Sequence, residues 1–448
     1  MNKLPGLSLL VALLSLTGVA VAQKAPPAAE PAAESPPAAS ADAPGAAAAA
    51  PVPAAVSIDD IRSFVTVFRE VQRSYVEPVS SEDLMRAAIR GLLSDLDPHS
   101  AFLDAEEMTA LQGDTSGEYG GLGLEVQVRE GLLTVIAPID DTPAARAGIR
   151  PGDVIISIDG TPIESGEAGN AIDRLRGKPG TEVSLSLARE GEAPFELKLT
   201  REIIRVTSVR MRELAPGYPV LRIAAFQDDT TADARQAIEK ARAKAPLKGL
   251  ILDLRSNPGG LLDAAVGVSD LFLDEGVIVS TKGRLEASKA EFTAAPGDLL
   301  DGAPIVVLID TGTASAAEIV AGALQDHTRG LVLGTQSFGK GSVQSVLPLR
   351  EGQALKLTTA RYYTPKGRSI QAEGIHPDIE LLPAKVAVDE ARSGAVTEAS
   401  LARHLDQEAG TETRERDSAA ADLLAQDFVL AEALNVLKAM ARWGARTP

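Results

Sequence analysis

Ile305-Val-Val-Leu-Ile-Asp-Thr-Gly-Thr-Ala-Ser-Ala-Ala-Glu318 reads as a strand that turns into a helix. The apolar run 305–309 is a buried strand by composition, residues 310–314 are turn formers, and Ser315 stands where the helix begins. Serine there is a favoured N-cap, and Glu318 completes a capping box. The same place suits a nucleophile, because the following amide, Ala316 N–H, points where an acyl oxyanion would form.

Working outward, strand and helix patterns alternate at 220–223, 232–243, 249–254, 261–273, 305–309 and 315–325, which predicts layered α/β packing. Upstream, residues 120–200 run in short apolar/polar alternations with glycine turns at Gly131, Gly148, Gly152 and Gly160, predicting a small, mostly β unit. Further upstream, Ile58, Ile61, Val65, Phe68 and Val71, then Leu84, Ala88, Leu92 and Leu96, fall at helical spacing, so two amphipathic helices are expected to pair before Asp97-Pro98 breaks the second. A last helix is expected over 419–443.

The 448 residues suggest two or three domains. Apolar residues make up 45% and aromatics only 3%, so the core must be built from Ala, Val, Leu and Ile. A formal net charge of -18 without a basic patch argues against nucleic acid or an anionic membrane surface as partner. The absence of cysteine removes disulfides and thiol catalysis, and His99, His327, His376 and His404 form no metal-binding pair, so neither metal nor cofactor is expected.

Lys3, the apolar stretch 7–21 and Ala20-Val21-Ala22 read as an export signal cleaved after Ala22, which implies periplasmic exposure; an uncleaved signal anchored in the inner membrane is the alternative. Residues 23–56 are nearly all Ala and Pro, a spacer with too little bulky apolar surface to offset the entropy of ordering.

A serine nucleophile needs a base. Ser337-Phe-Gly-Lys340-Gly-Ser-Val-Gln344 places a lysine among small residues that admit close approach. Burial, with Phe338 and Val343 as walls, would lower the lysine pKa until its neutral form is accessible, and Gln344 could orient it. A second oxyanion donor could come from Gly259 or Gly260 in Asp253-Leu-Arg-Ser-Asn-Pro-Gly-Gly260, a strand ending in a glycine turn before a helix. Tyr119-Gly-Gly121-Leu122-Gly123-Leu124 puts bare backbone donors before a strand edge, a place for a peptide carboxylate. Arg176 could touch the peptide or the neighbouring domain, or simply be solvated.

Pro143-Ala-Ala-Arg-Ala-Gly-Ile-Arg-Pro-Gly-Asp-Val-Ile155, followed by Ile158-Asp-Gly160, resembles the PDZ domains of bacterial exported proteases over about 117–201. That resemblance implies that 122–124 form the carboxylate-binding loop and that the helix 168–175 walls the peptide groove. Asp253–Gly260, Thr313-Ala-Ser-Ala-Ala-Glu318, 334–344 and Tyr362-Tyr-Thr-Pro365 together resemble the carboxy-terminal (tail-specific) processing proteases over about 58–383. The resemblance implies a serine endopeptidase with Ser315 as nucleophile, Lys340 as general base and Gln344 in support, on an α/β core like that of crotonases and the Clp peptidase, with an inserted PDZ domain and flanking helices. It further implies the C-terminal tails of exported or envelope proteins as substrates, self-association as a homo-oligomer, and a helical-repeat adaptor protein as a further partner. The expected division is signal 1–22, linker 23–56, N-terminal helices 57–112, PDZ 113–203, protease core 204–385 and a C-terminal helical region 386–448 that serves assembly. The competing readings are a histidine base drawn from His327 or His376, a non-catalytic tail-binding protein, and acyl-CoA chemistry, which export disfavours.

Overall fold

The computed structural model describes residues 55–129, 131–139, 141–163, 168–384 and 423–444. The expected signal, nearly all of the linker and residues 386–422 of the C-terminal region lie outside the described residues.

The centre of the molecule is a six-stranded sheet in the order Val209–Ala215, Tyr218–Ile223, Leu250–Asp253, Ile305–Ile309, Gly330–Gly334, Ile379–Glu380. The first two strands form an antiparallel hairpin and every later pair is parallel. All five residues of Ile305–Ile309 are buried because both faces of the sheet are covered, which explains an unbroken apolar run where a half-exposed strand would alternate. Ile305, Val307 and Ile309 pack with the helices Thr230–Arg242, Leu262–Asp270 and Ala316–Asp326. Val306 and Leu308 pack on the opposite face with Val429, Leu430, Ala433, Leu434 and Leu437 of the helix Phe428–Gly444. The C-terminal helix, expected to serve assembly, is therefore half of the sheet's cover; fully burying a residue such as Leu437 contributes about 2 kcal/mol.

A second sheet is antiparallel and holds Ala101–Leu103, Ala354–Tyr363, Val277–Gly283 and Ala290–Thr293, with Ser342–Pro348 also paired on Ala354–Tyr363. It carries the lysine segment, because Ser342–Pro348 begins just after Lys340.

The inserted β unit is a sheet of Leu124–Arg129, Leu132–Pro138, Val154–Ile158, Glu182–Ala188 and Phe195–Thr200 around its own core of Leu133, Val135, Ile155, Leu185 and Leu187. The chain enters it through Glu118–Gly121 and leaves through Glu202–Arg205, and these two strands pair as an antiparallel stalk. Asp153 explains the Gly-Ile-Arg-Pro-Gly-Asp turn. Its carboxylate is 1% exposed, accepts from the Arg150 amide at 2.8 Å and forms an ion pair with Arg189 at 2.7 Å. Arg189 offsets the desolvation of that carboxylate, whose pKa lies below the ordinary range chiefly through the Arg189 hydrogen bond.

The helices Ile58–Ser74 and Ser81–Ser94 form as expected, each with a serine N-cap, Ser57 and Ser80. Their apolar stripes do not close on each other as the periodicity suggested. No residue of Ile58–Ser74 is buried, and Ile58, Ile61, Val67 and Leu92 all remain exposed.

Candidate active site

Ser315 lies at the predicted strand-to-helix turn, as the residue before Ala316–Asp326. Its backbone has φ 55° and ψ -115°, a left-handed strained conformation that a plain N-cap serine, normally extended, does not need. Such strain persists only where the surroundings over-determine it. Here the Ala314 amide donates to the Asn257 carbonyl at 2.9 Å, and the Phe338 amide donates to the Thr313 carbonyl at 2.9 Å. The turn is thus tied on one side to the glycine loop and on the other to the lysine loop.

Glu318 is the tie between serine and lysine. Fully buried, its carboxylate accepts from the Ser315 amide at 2.7 Å, the Lys340 amide at 2.9 Å, the Gly339 amide at 2.7 Å and the Ser337 hydroxyl at 2.5 Å. Burial pushes its pKa up, and these four donors act against that rise. From the sequence Glu318 looked only like the closing residue of a capping box. In the fold its carboxylate holds the main chain of both expected catalytic residues.

Lys340 is half-buried, and its pKa lies below the ordinary lysine value because of burial first and the charge of Lys356 second, against the opposing pull of Glu318. The expected walls are only partly right. Phe338 is 63% exposed and shields little, whereas Val343 packs against the main core. His99 is a neighbour that the sequence did not reveal: burial and then the Lys340 charge lower its pKa. Gln344 faces its cross-strand partner, with Nε2 donating to Ser342 Oγ at 3.0 Å and Thr358 Oγ1 at 3.3 Å. Burial pushes the Tyr362 hydroxyl pKa up to about 12, with the Ser315 side chain acting against that rise.

One of the expected oxyanion donors is already committed. The Gly259 amide donates to Asn257 Oδ1 at 2.9 Å, and Asn257, itself fully buried, is anchored by Nδ2 on the Ile223 carbonyl. Among the described residues no hydrogen bond uses the amides of Gly260 or Ala316, so these two remain available to an oxyanion. For His327 the histidine alternative fails on distance. His327 caps the far end of the 11-residue helix that starts after Ser315, about 18 Å away at helical rise, and its ring meets the Val277 carbonyl. His376 is exposed in the turn before Ile379–Glu380, where its carbonyl accepts from Gln325.

In the inserted unit, Leu122 is buried, its carbonyl accepts from the Ala144 amide at 2.9 Å, and the Gly123 carbonyl accepts from the Ile139 amide at 2.9 Å. Gly123 has φ 75°, and a Cβ there would lie 2.4 Å from the Thr142 side chain, so only glycine fits. Arg176 is not simply solvated: its guanidinium stacks over the Tyr119 ring at 5.1 Å, at the stalk.

Residues 217–381 match peptidase family S41, residues 134–189 match a PDZ domain, and residues 31–107 match the N-terminal domain of the activating protease CtpB. A carboxy-terminal-processing protease of Bartonella bacilliformis is 50% identical over 321 residues, 70% of this chain and 74% of that one. A probable CtpA-like serine protease of Staphylococcus aureus is 36% identical over 327 residues, 72% of this chain and 65% of its own length. Among solved structures, the photosystem II D1 C-terminal processing protease is 32% identical and covers 73% of this chain and 94% of its own, with a TM-score of 0.44. With half of the aligned residues identical over most of both chains, the protein belongs to the carboxy-terminal-processing proteases, serine peptidases of family S41.

Proposed function

We propose that the protein is a periplasmic endopeptidase, exported by its N-terminal signal, in which Ser315 and neutral Lys340 form a catalytic dyad and the PDZ domain captures substrate tails. The observation that carries this reading is the shared carboxylate of Glu318, which bonds the Ser315 and Lys340 amides at 2.7 and 2.9 Å and keeps serine and lysine segments in register. The depressed Lys340 pKa supports it, since a lysine base must reach its neutral form near neutral pH.

In this mechanism an extended C-terminal tail pairs with the outer edge of Leu124–Arg129, which pairs with no strand among the described residues. Its carboxylate meets the 121–124 loop, whose Leu122 and Gly123 carbonyls are engaged on the domain side. At the core, Ser315 Oγ attacks the scissile carbonyl carbon while its proton passes to Lys340 Nζ. The resulting oxyanion is held by the Ala316 and Gly260 amides. The lysine ammonium then protonates the departing amine as the C–N bond breaks, leaving an ester on Ser315. Water repeats the sequence: it gives a proton to Lys340, attacks the ester, and Ser315 leaves with that proton. Tails of exported or envelope proteins are the substrates, with apolar ends preferred.

The deciding experiment is cleavage of an unfolded model protein with an apolar C-terminus by the purified protein, beside Ser315→Ala and Lys340→Ala. Cleavage by the parent alone is expected. A Lys340→Ala variant with parental activity would refute the dyad, and equal cleavage of a substrate with its apolar tail removed would refute capture by the PDZ domain.

A further inference from the structure

Asp97-Pro98-His99-Ser100 follows the second N-terminal helix, and from the sequence it is only a helix break. In the fold it is a knot around one carboxylate. Asp97 Oδ1 accepts from the His99 amide at 2.8 Å, the Ser100 amide at 2.9 Å and the Thr358 hydroxyl at 3.1 Å, and Oδ2 accepts from the Ser100 hydroxyl at 2.6 Å. Ser100 Oγ in turn accepts from the Thr358 amide at 3.1 Å. The knot therefore grips Thr358, 261 positions away in the chain, by both its side chain and its main chain. Thr358 is the cross-strand partner of Gln344, at a β-bulge between Val343 and Gln344 that re-aims the glutamine side chain.

We propose that Asp97 is a positioning residue for the general base: acting through Thr358, it fixes which end of the Gln344 amide is presented to Lys340. This rests on the reading of Ser315 and Lys340 as the dyad, with Gln344 in support.

The argument is one of donors and acceptors. An ionised carboxylate only accepts, and a hydroxyl has a single proton to give. Burial alone would raise the Asp97 pKa, but the bonds from Ser100, His99 and Thr358 outweigh it and hold the group ionised. The Thr358 proton is spent on Asp97, so Thr358 Oγ1 can meet Gln344 only as an acceptor. That requires the NH2 end of Gln344 to face Thr358, and the bond from the same Nε2 to Ser342 Oγ agrees. The amide flip, ambiguous in an isolated glutamine, is thereby decided. The oxygen of Gln344 is the free end, and among the described residues no hydrogen bond occupies it.

An oxygen end accepts an N–H from Lys340 and leaves the amine lone pair for the Ser315 proton. A flipped amide would instead offer N–H to that lone pair and quench the base. The titratable groups that act on the lysine are Lys356 on Ala354–Tyr363, Glu318 on the helix after Ser315, and His99 in the knot. Lys356 is a donor only and cannot replace the acceptor, and Glu318 is saturated by four donors.

The test compares Thr358→Val, which keeps the shape and removes the hydroxyl, with Thr358→Ser, which keeps the hydroxyl, and with Asp97→Asn. Each is measured for kcat, KM, the pH dependence of kcat and thermal unfolding, beside Lys340→Ala. Thr358→Val and Asp97→Asn should lower the kcat plateau about tenfold, a part of the ~100-fold or more that general base catalysis supplies, with KM little changed. Because an accepting oxygen favours the ammonium, losing it lowers the Lys340 pKa, so the acid limb of kcat should move to lower pH. Thr358→Ser should restore both quantities. If Thr358→Val keeps parental kcat and pH profile while Lys340→Ala is inactive, the inference falls and the dyad stands. Equal impairment of Thr358→Val and Thr358→Ser, or a loss that tracks thermal stability without moving the pH profile, would also overturn it. An active Lys340→Ala would instead overturn the dyad reading beneath it.

Discussion

Gly259 lies so close to Ser315 that a Cβ at position 259 would stand 2.7 Å from the serine Cβ. The same Cβ would lie 2.8 Å from the Ala314 carbonyl oxygen and 3.0 Å from the Ala316 amide nitrogen, and φ at 259 is 101°. No L side chain fits that position without moving the loop or the Ser315 turn. Gly259→Ala should therefore displace the neighbouring Gly260 amide and reduce kcat by about 100-fold or more, the scale of a lost oxyanion donor. Burst kinetics with an activated ester would check it, and a burst rate like that of the parent would count against this geometry.

Lys356 raises the electrostatic cost of protonating Lys340. Removing its charge with Lys356→Gln should let the Lys340 pKa climb back toward the ordinary value. On the proposed dyad, Lys340 would then be neutral only at higher pH, so the acid limb of kcat should shift upward, opposite in sign to the shift expected for Thr358→Val. A pH–rate profile at constant ionic strength measures this directly.

Glu318→Gln replaces an acceptor oxygen by an NH2 group in a buried site where the Ser315, Lys340 and Gly339 amides and the Ser337 hydroxyl all donate. At least one buried amide loses its partner, at about 1–3 kcal/mol. Urea unfolding should show that loss, and activity should fall as well because the serine and lysine turns lose their common anchor.

Arg255 bridges Asp253, at the end of a central strand, to Asp427, which caps the C-terminal helix; both contacts are bidentate or nearly so, at 2.8–3.0 Å. Arg255→Met should leave the side chain of Asp253, a residue 6% exposed, with only the main-chain amide of position 255 and the more distant Arg222, and cost about 3 kcal/mol. Asp427→Asn, at a side chain 31% exposed, should cost only about 1 kcal/mol. Chemical denaturation of the two variants tests the order as well as the size.

Much of this protein was legible in local pattern. The strand-to-helix turn at Ser315, the alternation of strands and helices, the small β unit and the amphipathic periodicity of the terminal helices all depend on residues within a turn or two of one another, where spacing and turn chemistry carry the information. The lysine and glycine loops were recognisable as candidates for the same reason. Partners that meet through space were not. That Gly259 gives its amide to Asn257, that Glu318 serves two loops instead of one helix end, and that Asp97 reaches Thr358 across 261 positions are outcomes of packing, which no local spacing encodes. The helices show the same division. Phe428–Gly444 and Ile58–Ser74 both carry an apolar stripe, yet one covers the central sheet and the other has no buried residue. Periodicity determines that a face is apolar; only the tertiary arrangement decides what, if anything, lies against it.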